Sequence, residues 1–266
     1  MPESAMPVFE QGIMVIELFG LVLARVFGIF IQGPVFQAHQ ITMRIRVGAA
    51  IVIAIALFPV LPMPAHLDVN LLQFFYLLIG NVIVGLMIGY TANLPILTLQ
   101  FAGELLDIQL GLTIASSFDP MAGGTVNLIR RFELYLCIMT YLIINGHHYL
   151  FKALYRAFQV VPVTGFHFRG AVFREYTFLT SEMFKTALEI SAPPLAALFI
   201  TQMALGLVAR ASPQMNVFML SFPVNLWVGL TLLAVTLPII IQRLGPIFTS
   251  NYYSLLKILL NLQPGG

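Results

Sequence analysis

Uninterrupted apolar runs constrain this chain more than any motif does. Val47–Leu67, Val69–Gly103, Leu134–Phe151 and Ala211–Gln242 contain no Asp, Glu, Lys or Arg, and about 20 predominantly apolar residues suffice to cross a bilayer. Two further runs qualify despite carrying charge: Gly12–Phe36, with Glu17 and Arg25 inside it, and Thr186–Ala209, with Glu189 near its start. Only 9% of the 266 residues are charged and 59% are hydrophobic, against roughly 25% charged in a soluble domain. This is the composition of an integral membrane protein. Lipid offers no water to unpaired backbone groups, so spanning segments are helices or closed barrels. Long unbroken runs, in place of short alternating ones, predict an all-α protein.

The pattern predicts helices near 12–35, 44–64, 69–94, 97–117, 126–157, 174–209 and 215–240, with a short amphipathic piece at Tyr252–Leu262. Pro95 divides the run Val69–Gly103, which reads as one crossing plus a re-entrant or hairpin arm, because an interior proline removes a backbone bond and kinks the rod. Within Glu175–Ile190, Tyr176, Leu179, Met183, Ala187 and Ile190 form one apolar stripe. That stretch reads as the polar extension of the crossing that follows it. The largest polar stretch, Gln159–Lys185, is too short for an independent soluble core, so 1–266 is expected to form a single membrane-embedded domain.

The loop charges do not orient an ordinary bundle. If six segments alternate sides, Arg44, Arg46, Arg130, Arg131 and Arg210 share one face, while Lys152, Arg156, Arg169, Arg174, Lys185, Arg243 and Lys257 share the other. Both faces are populated, whereas a simple bundle concentrates its cations on one. Either a segment does not cross, or the protein does not sit in lipid as an ordinary bundle; we favour the second.

Several chemistries have no support. The net charge of +2 comes from few residues and makes no basic surface, so nucleic acid is not an expected partner. Cys137 stands alone, which precludes an intrachain disulfide and a cysteine-based metal site. The first eleven residues hold no Lys or Arg, so the basic region of a cleavable signal is missing and the first apolar run is expected to stay. His147 and His148 are adjacent, point about 100° apart on a helix and lack a third ligand at zinc spacing; they read as a helix-end pair. None of HExxH, GxSxG, GxxxxGK[ST] or GxGxxG occurs. No catalytic residue, metal or cofactor is expected, and the protein does not read as an enzyme.

Polar residues inside apolar surroundings need partners. Glu17 and Arg25 are about 12 Å apart along a helix, too far to pair with each other; each is expected to find a partner within the chain or on a neighbouring subunit. Glu104 and Asp107 share a helix face and could form a proton relay or be anchored by Arg130 and Arg131. The segment Gly111–Gly124 combines small residues with Asp119-Pro120 and Gly123-Gly124 turn chemistry. It is either a plain hairpin or a loop that seals a pore with Phe118 and Met121, methionine being adaptable in such contacts. Finally, Arg210, Ser212, Pro213, Gln214 and Asn216 crowd a turn between two apolar runs.

That turn carries a resemblance. RASPQMNVF at 210–218, RVFGIFIQGPVF at Arg25–Phe36, GELLDIQLGLTIASSFDP at Gly103–Pro120 and NGHHYLFKALYRAFQVVPV at Asn145–Val163 resemble, in order, segments of the FliR family. These are flagellar type III export-gate proteins whose virulence relatives are called SctT. The resemblance implies kinked helices and helical hairpins, with a FliP-like part over about 1–170 joined to a FliQ-like part over 171–266. It implies a right-handed helical hetero-oligomer with FliP-type and FliQ-type subunits, an FlhB-type subunit, membrane lipid and unfolded export substrates as partners, at the flagellar basal body in the bacterial inner membrane. An assembly raised out of the bilayer plane would account for the charge distribution. The family's plug loop falls on Ser116, Ser117, Phe118, Asp119, Pro120, Met121, Ala122, Gly123 and Gly124. Glu17, Arg25, Glu104, Asp107, Arg210, Pro213, Gln214 and Asn216 are then expected to make subunit or helix-packing contacts. A small ion-coupled secondary transporter is the competing reading; the paired repeats usual in such carriers are missing.

Overall fold

A computed structural model describes residues 8–34, 42–61, 64, 69–113, 127–167, 169–212, 214 and 216–263. Its regular elements are α1 (Val8–Gln32), α2 (Met43–Leu57) with a 3-10 turn (Phe58–Val60), α3 (Leu71–Gln109), α4 (Leu128–Ile143), α5 (Gly146–Val160), α6 (Gly170–Ala211) and α7 (Val217–Asn261). No strand occurs among the described residues, as the apolar runs predict.

Three boundaries differ from the sequence reading. Pro95 does not split the run after residue 70, because α3 passes through it unbroken. A proline leaves the carbonyl four residues earlier without its helical donor; here that carbonyl belongs to Thr91, and the Asn251 side-chain amide donates to it at 2.5 Å. The helix expected over 126–157 is two, divided at Asn145, which adopts the left-handed conformation (φ 56°) that asparagine tolerates better than most residues. The terminal piece at Tyr252–Leu262 is the end of α7, which runs through Pro223, Pro238 and Pro246. Among the described residues, five helical stretches are long and apolar enough to cross a membrane, at 12–32, 43–60, 71–109, 170–211 and 219–261. α4 is not among them, so the candidate crossing Leu134–Phe151 is replaced by two shorter helices.

The chain divides into two compact units, and α3, α6 and α7 contribute to both. The first comprises residues 1–93, 145–176 and 250–266. In it α1 buries Leu18, Leu21, Val22, Val26, Ile29 and Phe30, the i, i+3, i+4 spacing of one helical face. That face meets α3 backbone to backbone. A Cβ on Gly28 would lie 2.5 Å from the Val82 carbonyl oxygen, and one on Gly85 would strike the Arg25 carbonyl, so glycine permits the approach as small residues do in membrane helix pairs. Further along, the Phe166 ring covers Gly80 and stacks on Tyr76 with ring centres 5.4 Å apart. Leu255, Ile258, Leu259 and Leu262 bury the end of α7.

The second unit comprises residues 94–144 and 177–249. Leu106, Leu110, Ile129, Leu198 and Leu233 form its apolar cluster, with Leu110 seated on Gly229. Gly111 closes α3 at φ 78°, the conformation a helix C-terminus asks of glycine. α4 buries one stripe, Ile129, Glu133, Cys137 and Tyr141. On α6 and α7, by contrast, Phe199, Ile200, Met203, Leu207, Trp227 and Val235 are exposed within this chain, as expected of helices that face lipid or other subunits.

Candidate functional sites

Arg25 lies wholly inside the first unit, with 0% of its surface exposed. Its Nε donates to Asn81 Oδ1 at 2.9 Å, and Nη1 donates to the carbonyls of Ala157 (3.0 Å) and Val161 (2.6 Å). Nη2 donates to the Pro162 carbonyl at 3.2 Å, and the guanidinium stands 4.6 Å from the centre of the Phe158 ring. Those carbonyls close the C-terminus of α5, where the helix dipole places partial negative charge. Asn81 completes the seat by donating to the Leu77 and Val163 carbonyls, both at 2.8 Å. The partner Arg25 needs is therefore a helix end, held in place by an asparagine of α3. Glu17, two turns earlier, is half-buried and does not enter this network.

A second set of ties in the same unit joins α3, α6 and α7. Tyr176 donates to the Met87 carbonyl at 2.9 Å and lies 3.0 Å from the Thr91 hydroxyl, whose own carbonyl receives Asn251. Lys257 pairs with Glu175 at 2.9 Å.

The second unit brings Glu104, Asp107 and Arg130 together. Arg130 Nη1 meets Glu104 Oε2 at 3.3 Å, and its Nη2 donates to Gln100 at 3.3 Å. Asp107 takes no arginine side chain; it accepts the backbone amides of Ile129 (2.9 Å) and Arg130 (3.0 Å). It thus serves α4 as an N-terminal cap supplied from another helix, satisfying donors that the first turn leaves open. Arg131 is exposed and stays outside this arrangement.

One turn into α4 lies Glu133, which the sequence reading passed over. It is 1% exposed, and neither carboxyl oxygen finds a hydrogen-bond partner. Burial, reinforced by the Asp107 charge, pushes its carboxyl up to about 8. Burial also pushes the neighbouring Cys137 thiol up to about 12. The signal that could have found Glu133 is its four-residue spacing from Ile129 and Cys137, which sets it on the apolar stripe. Adjacent Arg130 and Arg131 make the segment look solvated.

The polar turn after α6 is open within this chain. Arg210, Gln214 and Asn216 are all exposed, and Asn216 Oδ1 accepts the Met219 amide at 3.3 Å, capping α7. Pro213 and the whole plug segment Ser116–Gly124 lie outside the described residues. His147 and His148 begin α5 with ring centres 4.3 Å apart. No three His, Cys, Asp or Glu side chains converge as a metal site among the described residues.

Long apolar helices, glycine-mediated helix crossings and polar groups tied to helix ends define an all-helical membrane protein. A family profile described as bacterial export proteins, family 1, matches residues 16–250, and the chain belongs to that family. It is 31% identical over 252 residues to flagellar biosynthetic protein FliR of Bacillus subtilis (strain 168), covering 92% of this chain and 96% of that protein. Against flagellar biosynthetic protein FliR of Escherichia coli (strain K12) the identity is 28% over 255 residues, 95% of this chain and 97% of that one. Yop proteins translocation protein T of Yersinia pestis is 25% identical over 222 residues, 82% of this chain and 84% of that protein. The motif resemblance to the FliR family agrees with these matches.

Proposed function

We propose that this chain is a non-enzymatic subunit of a flagellar type III export gate, forming with FliP-type and FliQ-type subunits the pore through which unfolded flagellar proteins cross the bacterial inner membrane at the basal body. The family match over residues 16–250 carries this reading. The chain's apolar surface supports it: α6 and α7 leave large side chains uncovered, and the polar residues Arg210, Gln214 and Asn216 are exposed within the chain. In an assembly both would have partners. The part over about 1–170 is the FliP-like portion and 171–266 the FliQ-like portion, with an FlhB-type subunit as a further neighbour.

Co-expression tests it. Purification with FliP-type and FliQ-type subunits should give one complex holding a single copy of this chain, and cells lacking the chain should export no flagellar protein. A homomeric complex that carries a small solute would overturn the gate. The plug assignment to Ser116–Gly124 rests on the family resemblance. Deleting that segment should leave assembly intact and make the closed gate leak ions; a tight membrane would move the seal elsewhere.

A further inference from the structure

Glu133 occupies a seat built for a neutral group. Its Oε2 rests 2.8 Å from the point where a Cβ would stand on Gly103. The Gly103 amide lies inside the α3 ladder and has little to spare for it. Asp107, the carboxylate that faces it from α3, already spends its oxygens on the Ile129 and Arg130 amides. On α4 itself, Arg130 is turned to Glu104 and Gln100, and Cys137 is a buried thiol. An ionised carboxylate in this seat would have only the Gly103 amide, already engaged in the helix, as a donor, and a like charge beside it. Such a group takes up a proton or leaves for water.

We propose that Glu133 is a proton-binding site that latches α4 onto α3 at Gly103. The protonated side chain stays seated against the glycine, and release of its proton to water opens the contact. The exchange is with solvent alone: the O–H bond breaks, the proton goes to water, and the carboxylate gains hydration as α4 moves off. With the carboxyl raised to about 8, the latch works close to neutral pH. It is independent of which protein passes through the assembly.

The test uses the full chain in the complex in which it is isolated, with carboxyl-13C glutamate for infrared titration. One glutamate should remain a protonated acid well above the ordinary carboxylate range, with a midpoint near 8, and Glu133→Gln should remove that signal alone. The second readout is alkylation of the single cysteine, Cys137, by N-ethylmaleimide. The wild-type rate divided by the Glu133→Gln rate, which divides out the thiol's intrinsic pH dependence, should rise roughly tenfold per pH unit from the ordinary value of 4.5 up to the midpoint near 8 and level off above it. If every glutamate titrates in the ordinary range, or if the ratio stays constant with pH, the latch is wrong. Should Glu133→Gln fail to assemble, the wild-type infrared titration decides alone.

Discussion

Arg25 and Glu133 are buried to the same degree, one in each unit, and their surroundings are opposite. The guanidinium has an asparagine oxygen, three carbonyls of a helix end and an aromatic face. The carboxyl has a glycine, a like charge and no bonded partner. A buried charge that is fully hydrogen-bonded fixes the elements it touches, whereas one without partners makes its surroundings depend on protonation. Arg25 holds α1, α3 and α5 in one arrangement at any physiological pH, and Glu133 ties α3 to α4 only while it carries a proton.

The largest expected effect follows from that asymmetry. A carboxyl held above its ordinary value of 4.5 binds its proton more tightly in the folded state. Its contribution is complete below pH 4.5 and is lost as pH rises to about 8. Stability of the second unit should therefore fall by about 1.4 kcal/mol per pH unit across that window, totalling a few kcal/mol. Glu133→Gln should flatten the slope in thermal denaturation of the solubilised complex. An unchanged slope would erase the contrast with Arg25.

Next is Arg25→Met, which keeps the apolar stem and removes every donor. The Val161 and Pro162 carbonyls and the Asn81 oxygen lose their partner in a dry site, each costing about 1–3 kcal/mol when buried without one. A loss of about 3 kcal/mol or more is expected, independent of pH between 5 and 8 by the same assay. Arg25→Lys should recover only part, since an ammonium lacks the fork that reaches helix end and asparagine together. If Arg25→Met leaves stability intact, satisfaction by carbonyls is not what fixes the first unit.

The two sites also rest on different glycines, and Ala substitutions compare them. On Gly85 a Cβ would strike the Arg25 carbonyl, forcing α1 off α3; on Gly103 it would lie 2.7 Å from Arg130 Cα and 2.8 Å from Glu133 Oε2. Each should cost about 2 kcal/mol as an overpacking change. Only Gly103→Ala should also lower the Glu133 titration midpoint, because moving α4 away admits water to the carboxyl. A shift with Gly85→Ala as well would couple the two sites.

How much of this was legible depends on whether the partner leaves a trace in sequence. The buried face of α1 was readable from its spacing, and the wish of Arg25 for a partner from its setting. The partner itself was not, because backbone carbonyls at the end of α5 have no residue signature. Glu104 and Arg130 were readable as an ion pair from charge alone, whereas Asp107 turned to backbone amides. Glu133 was hidden by neighbouring arginines. The polar turn Arg210–Asn216 was conspicuous, and within this chain its Arg210, Gln214 and Asn216 side chains are exposed.

Continuity of α3 was the least readable feature, and it yields the smallest effect. Pro95 looked like a break because a proline orphans a carbonyl, and the residue that answers it, Asn251, is 160 positions away. Asn251→Ala should cost about 1 kcal/mol, the worth of one hydrogen bond to a buried carbonyl. A deletion that small could reflect packing instead, so the decisive measurement is a double-mutant cycle with Pro95→Ala. Alanine at 95 restores the amide that the Thr91 carbonyl lacks, and losing Asn251 should then cost little. The coupling should be about 1 kcal/mol. Additive costs would mean that Asn251 stabilises α7 for its own sake, and that α3 stays continuous through Pro95 by packing alone.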